Sequence, residues 1–232
     1  MILANGWFAD IAATFEKCFI RDDRYKLLLS GIGVTVKVAL LAAAMGLVIG
    51  FIIALCNLSK NKFLNILGKI YTDVIRGTPS VTQLMIIYFV IFATVNWEKW
   101  IIAAIAFSIN SGAYVSEIIR AGILSIDKGQ TEAGRSLGLS KTQTMMSVIV
   151  PQAVKNIFPA MCNEFITLIK ETAIVGYVGL VDIQKAGDFI KSATYEAFMP
   201  LIATAIIYFV LIKILTLGLG RIELRLRKSD KR

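Results

Sequence analysis

A stretch of the sequence near residue 165 is mostly apolar but carries polar side chains at helical spacing. Glu164, Thr167 and Glu171 fall on one face of a predicted helix. Asn163 stands next to the first of them. Because ionisable groups are costly at membrane depth, they mark a solute pathway by default. We predict that the Glu164 carboxylate receives the ammonium group of a substrate, and that Asn163 and Thr167 add neutral hydrogen bonds. Alternatively, Glu164 pairs with a neighbouring helix, for example with Lys37, and only holds the helices together.

The sequence offers little for covalent chemistry. It contains no histidine, the commonest general base, and no nucleophile and base pair that rises above chance. Residues 187–192 come nearest to a phosphate-binding loop, but they lack its second glycine. Three unclustered cysteines argue against a transition-metal site. We therefore expect no catalytic residue, no metal and no cofactor in this chain, and we predict that it moves a substrate without changing it.

Hydropathy places the chain in a lipid bilayer. Of its 232 residues 56% are hydrophobic, and the mean hydropathy is +0.70. A helix needs about 20 mostly apolar residues to cross the hydrocarbon core, and the chain offers five such stretches, of which the second is short and needs an earlier start or a tilt. The predicted fold is an all-α membrane protein with spans at residues 30–56, 80–94, 101–124, 152–175 and 200–219.

The predicted organisation has three parts. Residues 1–29 form an amphipathic segment at the outer membrane surface, residues 30–220 form the transmembrane domain, and residues 221–232 form a basic tail. Basic residues concentrate in the loops after the first and third spans and in the tail, which the positive-inside rule assigns to the cytoplasm. We therefore predict an outer N-terminus and a cytoplasmic C-terminus, and no nucleic-acid partner for the net charge of +9.

The loop between the third and fourth spans, residues 128–150, is small, polar and amphipathic. We predict a short helix with Thr131 as its N-cap and a turn at Gly138. A capping box of Ser140 and Gln143 then opens a second helix. The small side chains would let another protein approach the backbone closely, and two leucines would provide apolar contacts. Alternatively, the loop is a connector that lies on the bilayer surface. The predicted docking residues are Glu132, Ala133, Gly134, Ser136, Leu137, Gly138 and Leu139.

Three other groups of residues are predicted to be structural. Glu117 and Arg120 have i, i+3 spacing and can neutralise each other on one helix face. Residues 76–79 form a turn that serves as a hinge or packing corner. Gly46 and Gly50 have the spacing that lets helices pack closely in lipid.

The loop resembles the coupling loop of the membrane permease subunits of bacterial ABC importers. That family has Glu-Ala-Ala, three residues, Gly, nine residues and Ile-x-Leu-Pro. Residues 132–134, 138 and 148–151 match it here, with a glycine for the second alanine and valines for isoleucine and leucine. Other stretches are similar to the branch that imports polar amino acids, so the resemblance covers most of the chain. They are residues 75–89, 111–130 and 163–183.

The resemblance implies the type I ABC importer permease fold and a set of partners. These are two ATP-binding subunits that hold ATP and Mg²⁺, a second permease copy or a similar permease, and an extracellular or periplasmic amino-acid-binding protein. The chain would then be a multi-pass protein of the bacterial inner membrane, surrounded by lipid, and a transport subunit without enzyme activity of its own. It would receive a polar or charged amino acid from the binding protein and pass it to the cytoplasm.

A stand-alone secondary transporter or channel driven by an ion gradient is the alternative function. The carboxylates of Glu164 and Glu171 could carry protons in such a protein. Against it stand the odd number of predicted spans, the lack of an inverted repeat and a cytoplasmic loop that such a protein would not need.

Overall fold

The computed structural model describes residues 10–228, with side chains through residue 225, and contains no strand in that range. The first nine residues of the predicted N-terminal segment and the last four of the predicted tail lie outside the described residues. From residue 10 the chain is helical, continuing through a π-helical turn, Glu16–Ile20, and a 3-10 turn, Arg21–Asp23.

The described chain is a bundle of long helices joined by short ones. Between α7 and α8 lies a 3-10 segment, Thr172–Val178. The helices are α1 (Tyr25–Leu58), α2 (Lys62–Arg76), α3 (Ser80–Ile86, continued by a π-helical turn, Ile87–Ile91), α4 (Lys99–Leu124), α5 (Lys128–Ser136), α6 (Lys141–Thr144, continued by a π-helical turn, Met145–Ile149), α7 (Val150–Glu171), α8 (Ile183–Thr194) and α9 (Phe198–Lys228).

Within the described range, α1, α4 and α9 are each long and apolar enough to cross a membrane. Helices α2 and α3 meet the same criterion only as a pair bent by 104°. Helix α7 coincides with the fourth predicted span, but its polar side chains keep it below that hydropathy criterion. It packs against α4 and α9 within the bundle. Four of the five predicted spans therefore coincide with single helices, three of which meet that criterion, and the second is the second arm of a bent pair.

The bend between α2 and α3 has a local cause in the chain. Pro79 lacks an N–H and disfavours helical backbone in the residue before it, so α2 ends and α3 starts at this point. The Gln83 amide donates to the Ile75 carbonyl at 2.7 Å and to the Thr78 hydroxyl at 2.7 Å, which satisfies groups freed by the bend. Asn110 of α4 donates to the Gln83 amide oxygen at 2.9 Å. The turn is thus a packing corner fastened to α4.

Helices α1 and α4 run parallel and make the most extensive contact of the bundle. A Cβ added to Gly46 would lie 3.2 Å from Ser111 Cβ, and one added to Gly50 would lie 2.4 Å from Val115 Cγ1. From the first of these contacts to the second, both helices advance by four residues, as two parallel helices must. The predicted packing role of the two glycines is confirmed.

Helix α2 turns its small and polar side inwards. Gly68 approaches the Asn57 side chain of α1, and the Tyr71 hydroxyl donates to the Ile109 carbonyl of α4 at 2.6 Å. Its large apolar side chains are exposed on the other side, as expected of a helix in contact with lipid. These side chains are Phe63, Ile66, Leu67, Ile70 and Val74.

A buried carboxylate joins α1, α8 and α9 at the end of the bundle where α1 begins. Asp182 caps α8 by accepting the N–H groups of Gln184 at 3.2 Å and Lys185 at 3.0 Å. The Tyr208 hydroxyl of α9 donates to the same carboxylate at 3.0 Å. Gly31 of α1 packs against this point, since an added Cβ would lie 2.7 Å from the Asp182 carbonyl carbon. Burial raises the pKa of Asp182 above its ordinary value.

Candidate functional site

A cavity of ≈ 1100 Å³ opens between α4 and α7. These two helices run antiparallel, and the last turn of α2 closes one side of the cavity. The walls mix small apolar residues with polar and charged ones, which is the lining that a polar solute needs inside a membrane protein. The polar lining residues are Arg76, Tyr114, Glu117, Ser125, Lys155, Asn156, Asn163 and Glu164.

The Glu164 carboxylate is held at one end of this cavity by α4. The Ser111 hydroxyl donates to Glu164 Oε1 at 2.8 Å, and Ser111 is itself buried against α1. The alternative pairing with Lys37 is not what the structure shows, because Lys37 Nζ lies 3.6 Å from the centre of the Trp100 ring. Glu164 is therefore oriented by a neutral donor of α4 and faces the cavity.

The other predicted substrate residues lie on the same helix at different places. Asn163 lines the cavity beside Glu164. Thr167 lies one turn further along α7, outside this lining, and its role in binding stays a prediction. Glu171 lies a further turn away, at the end of α7.

A cluster of charged side chains stands at the other end of the cavity. Arg120 donates to both oxygens of Glu117, at 3.0 and 2.7 Å, so the predicted i, i+3 pair is confirmed. Arg76 Nη1 lies 3.9 Å from Glu117 Oε2. The Arg76 guanidinium also stands 5.3 Å from the centre of the Tyr114 ring. Sequence reasoning assigned Arg76 only to a turn, because its place in the cavity depends on the bend between α2 and α3.

The floor of the cavity joins the two helices where they enter the loop. Asn156 of α7 donates to the Ser125 hydroxyl at the end of α4 at 3.0 Å. The two helices also touch without a gap at Gly122, where an added Cβ would lie 2.1 Å from Ile157 Cγ1. Helices α4 and α7 are therefore held together at the point where both meet the loop.

The loop itself forms helix, turn and helix as predicted. The capping box is confirmed: the Gln143 N–H donates to Ser140 Oγ at 3.2 Å, and the Ser140 N–H donates to Gln143 Oε1 at 2.8 Å. Gly138 makes the turn with a φ of 83°, which glycine adopts without strain. The predicted N-cap Thr131 is wrong: the helix starts earlier, at Lys128, because Asp127 accepts the Gly129 N–H at 2.7 Å.

The predicted docking residues mostly face outwards. Leu137 is 82% exposed at the tip of the loop, and Leu139 is half-buried. Gly134 is instead buried, since an added Cβ would lie 2.7 Å from Thr144 Cγ2. It brings α5 and α6 together and offers no outer surface. The exposed residues of the predicted set are Glu132, Ala133, Ser136, Leu137 and Gly138.

Comparison with known proteins identifies the class to which this architecture belongs. Residues 46–228 match the family described as binding-protein-dependent transport system inner membrane component. The chain belongs to this family. It is a permease subunit of an ABC importer, a multi-pass protein of the bacterial inner membrane.

Individual relatives share nearly the whole length of the chain. It is 43% identical over 205 residues to the arginine transport system permease protein ArtQ of Bacillus subtilis (strain 168), covering 88% of this chain and 94% of the relative. It is 34% identical over 204 residues to the glutamine transport system permease protein GlnP of Escherichia coli (strain K12), with coverages of 87% and 93%. The crystal structure of an amino acid ABC transporter with histidines matches with a TM-score of 0.82 at 42% identity, covering 89% of this chain and 98% of that one.

Proposed function

We propose that this permease carries an amino acid through the cavity between α4 and α7, driven by ATP-binding subunits docked on residues 128–150. The observation that carries the proposal is the oriented carboxylate of Glu164 in a polar cavity between helices of a membrane bundle. The names of the relatives support an amino acid as the solute. The ion-driven alternative explains the carboxylate, but it gives no role to the exposed loop.

In this proposal Glu164 compensates the positive charge of the substrate at membrane depth. A cation that leaves water needs an opposite charge or several hydrogen bonds to replace its hydration. The carboxylate supplies the charge, and the hydrogen bond from Ser111 keeps it in one position. Asn163 supplies amide groups beside it, and Thr167 supplies a hydroxyl when the substrate moves along α7.

The loop would transmit the motion of the ATP-binding subunits. The exposed tip of the loop at Leu137 would contact an ATP-binding subunit. ATP and Mg²⁺ would be held in those partner subunits. Close packing of Gly134 on Thr144 makes α5 and α6 one rigid piece. The contact between Asn156 and Ser125 then connects that piece to both cavity-lining helices. We further infer two ATP-binding subunits, a second permease copy or a similar permease, and an external binding protein as the complete assembly.

The experiment is import of radiolabelled L-arginine and L-glutamine by the complete transporter in proteoliposomes. Glu164→Gln keeps the shape of the side chain and removes its charge, so we expect import to fall by about tenfold or more. Asp73→Asn is the matched control, because it neutralises an exposed carboxylate on α2 that does not line the cavity. Equal import by wild type and Glu164→Gln would refute the role of Glu164.

A further inference from the structure

We propose that a groove between α2 and α4 binds the headgroup of an anionic phospholipid, with Lys69 as its main contact. The groove lies at the end of the bundle where α4 enters the loop of residues 128–150. It shares only Arg76 and Glu117 with the cavity between α4 and α7. The inference therefore goes beyond the proposed function and does not depend on it. The lipid would belong to the leaflet on the loop side of the membrane.

The groove is large enough for a phosphate and a small polar headgroup. Its volume is ≈ 490 Å³, within the range of about 300–1,000 Å³ that is typical of pockets for small ligands. Helix α2 forms one wall, and the last two turns of α4 form the other. Asn57, at the end of α1, lines the groove and is buried where α1 packs closely on Gly68 of α2. Three helices thus shape the hollow in which a headgroup would rest.

The charged side chains of the groove leave a net positive charge. Three cations and two carboxylates line it, namely Lys69, Asp73, Arg76, Glu117 and Arg120. Both Glu117 oxygens accept hydrogen bonds from Arg120, at 3.0 and 2.7 Å, so this pair is neutral. Two cations and one carboxylate remain. The surplus of one positive charge matches the single negative charge of a phosphodiester, with which basic side chains form strong charge-assisted hydrogen bonds.

Lys69 is the cation of this groove that has no partner among the described residues. Its exposed side chain makes no hydrogen bond or ion pair with any of them. Arg76 also has donors to spare, because its Nη1 atom lies 3.9 Å from Glu117 Oε2, too far for a hydrogen bond. Seven residues of α-helix make nearly two turns, so Lys69 and Arg76 lie on the same side of α2. A phosphate in the groove would satisfy both.

The apolar side of α2 adjoins this basic row and favours a lipid as the occupant. Ile66 and Ile70 are exposed one turn apart on that side, and Ile66 is also one turn from Lys69. Leu124 of α4 is exposed at the opposite wall of the groove. A phospholipid combines an anionic head with apolar chains, so its head fits the groove while its chains cover these side chains. An anion dissolved in water would leave the apolar side uncovered.

The test compares phosphatidylglycerol, an anionic phospholipid, with zwitterionic phosphatidylcholine that has the same acyl chains. Both are titrated into the complex of this chain with its ATP-binding subunits in a non-ionic detergent, and dissociation constants are measured by native mass spectrometry. We expect wild type to bind phosphatidylglycerol about tenfold more tightly, and Lys69→Gln to reduce this preference about fivefold. Because the ratio is taken within one preparation, a smaller folded fraction does not change it.

Two further variants on the same helix serve as controls. Lys62→Gln removes the same charge about two turns before Lys69, at an exposed residue outside the groove lining, and should keep the wild-type preference. Asp73→Asn removes the carboxylate of the groove that Arg120 does not neutralise, so it should increase the preference. The two neutralising changes inside the groove, Lys69→Gln and Asp73→Asn, are therefore expected to act in opposite directions.

Three results would overturn the proposal. Equal binding of the two lipids to wild type would do so, as expected if a second permease copy covers the groove. A preference that is unchanged in Lys69→Gln, or reduced equally in Lys62→Gln, would place the attraction elsewhere on the basic surface. Displacement of bound lipid by soluble glycerol phosphate at the same concentration as by phosphatidylglycerol would show that the apolar side of α2 contributes nothing and that the occupant is a soluble anion.

Discussion

Replacement of Gly50 by alanine tests the packing of α1 on α4 most sharply. The added Cβ would stand 2.4 Å from Val115 Cγ1 and 2.9 Å from the Gly112 carbonyl oxygen. Carbon atoms in contact prefer about 3.5–4.0 Å, so the two helices must separate by about 1 Å or the valine must leave its rotamer. Overpacking of this kind costs about 1–3 kcal/mol.

Gly33→Ala is the matched control on the same helix. No atom lies within 4 Å of the Cβ position at Gly33. Both variants gain the same conformational benefit of alanine over glycine in a helix, about 0.5–1 kcal/mol. The difference in unfolding free energy between the two variants therefore isolates the packing cost, and we expect Gly50→Ala to be less stable by about 1–3 kcal/mol.

The assay is denaturation of the purified subunit in mixed micelles, followed by helical circular dichroism. Gly50→Ala should unfold at a lower denaturant fraction than Gly33→Ala, with wild type between them or close to the control. Equal stability of the two variants would refute the close contact of α1 and α4, because an alanine cannot be accommodated at 2.4 Å from a valine methyl without cost.

Three further changes give separate readouts. Ser111→Ala removes the donor to Glu164 and should weaken amino-acid binding about tenfold in equilibrium dialysis; an unchanged dissociation constant would show that the carboxylate needs no orientation. Asp182→Ala removes the cap of α8 and the acceptor of the Tyr208 hydroxyl, so the unfolding free energy should fall by about 1–2 kcal/mol, and more than for Asp182→Asn. Because burial raises the pKa of Asp182, wild type should lose stability relative to Asp182→Asn as the pH rises above about 4; parallel pH profiles would contradict this. Ser140→Ala breaks the capping box at a cost of about 1 kcal/mol, and amide exchange at the start of α6 should become faster, whereas unchanged protection would contradict the cap.

The spans were readable where a long apolar run has no interruption. The third predicted span, residues 101–124, differs from α4 (Lys99–Leu124) only at its first turn. Helix α9 continues past the predicted end at residue 219, because a helix does not stop where it leaves the lipid. The sequence predicts a loop where α2 lies, because its lysines resemble those of a cytoplasmic loop. The structure shows a helix whose large apolar side chains face away from the protein.

Local signals predicted the loop better than the site. The capping box and the turn at Gly138 depend on residues within a few positions of each other. The predicted N-cap Thr131 is wrong because Asp127 caps the helix one turn earlier. Contacts between distant residues were not readable: Arg76 reaches the cavity only through the bend, and Asp182 meets Tyr208 only when three helices are packed together.

The most direct test of the account is ATP hydrolysis by this permease with its ATP-binding subunits in nanodiscs, with and without amino-acid-loaded binding protein. Wild type should hydrolyse ATP faster when the loaded binding protein is present. Gly138→Arg places a long side chain at a left-handed turn beside the exposed Leu137 and should abolish this stimulation. Stimulation that persists unchanged in Gly138→Arg, or a wild-type rate independent of the binding protein, would contradict the coupling of this loop to the cavity.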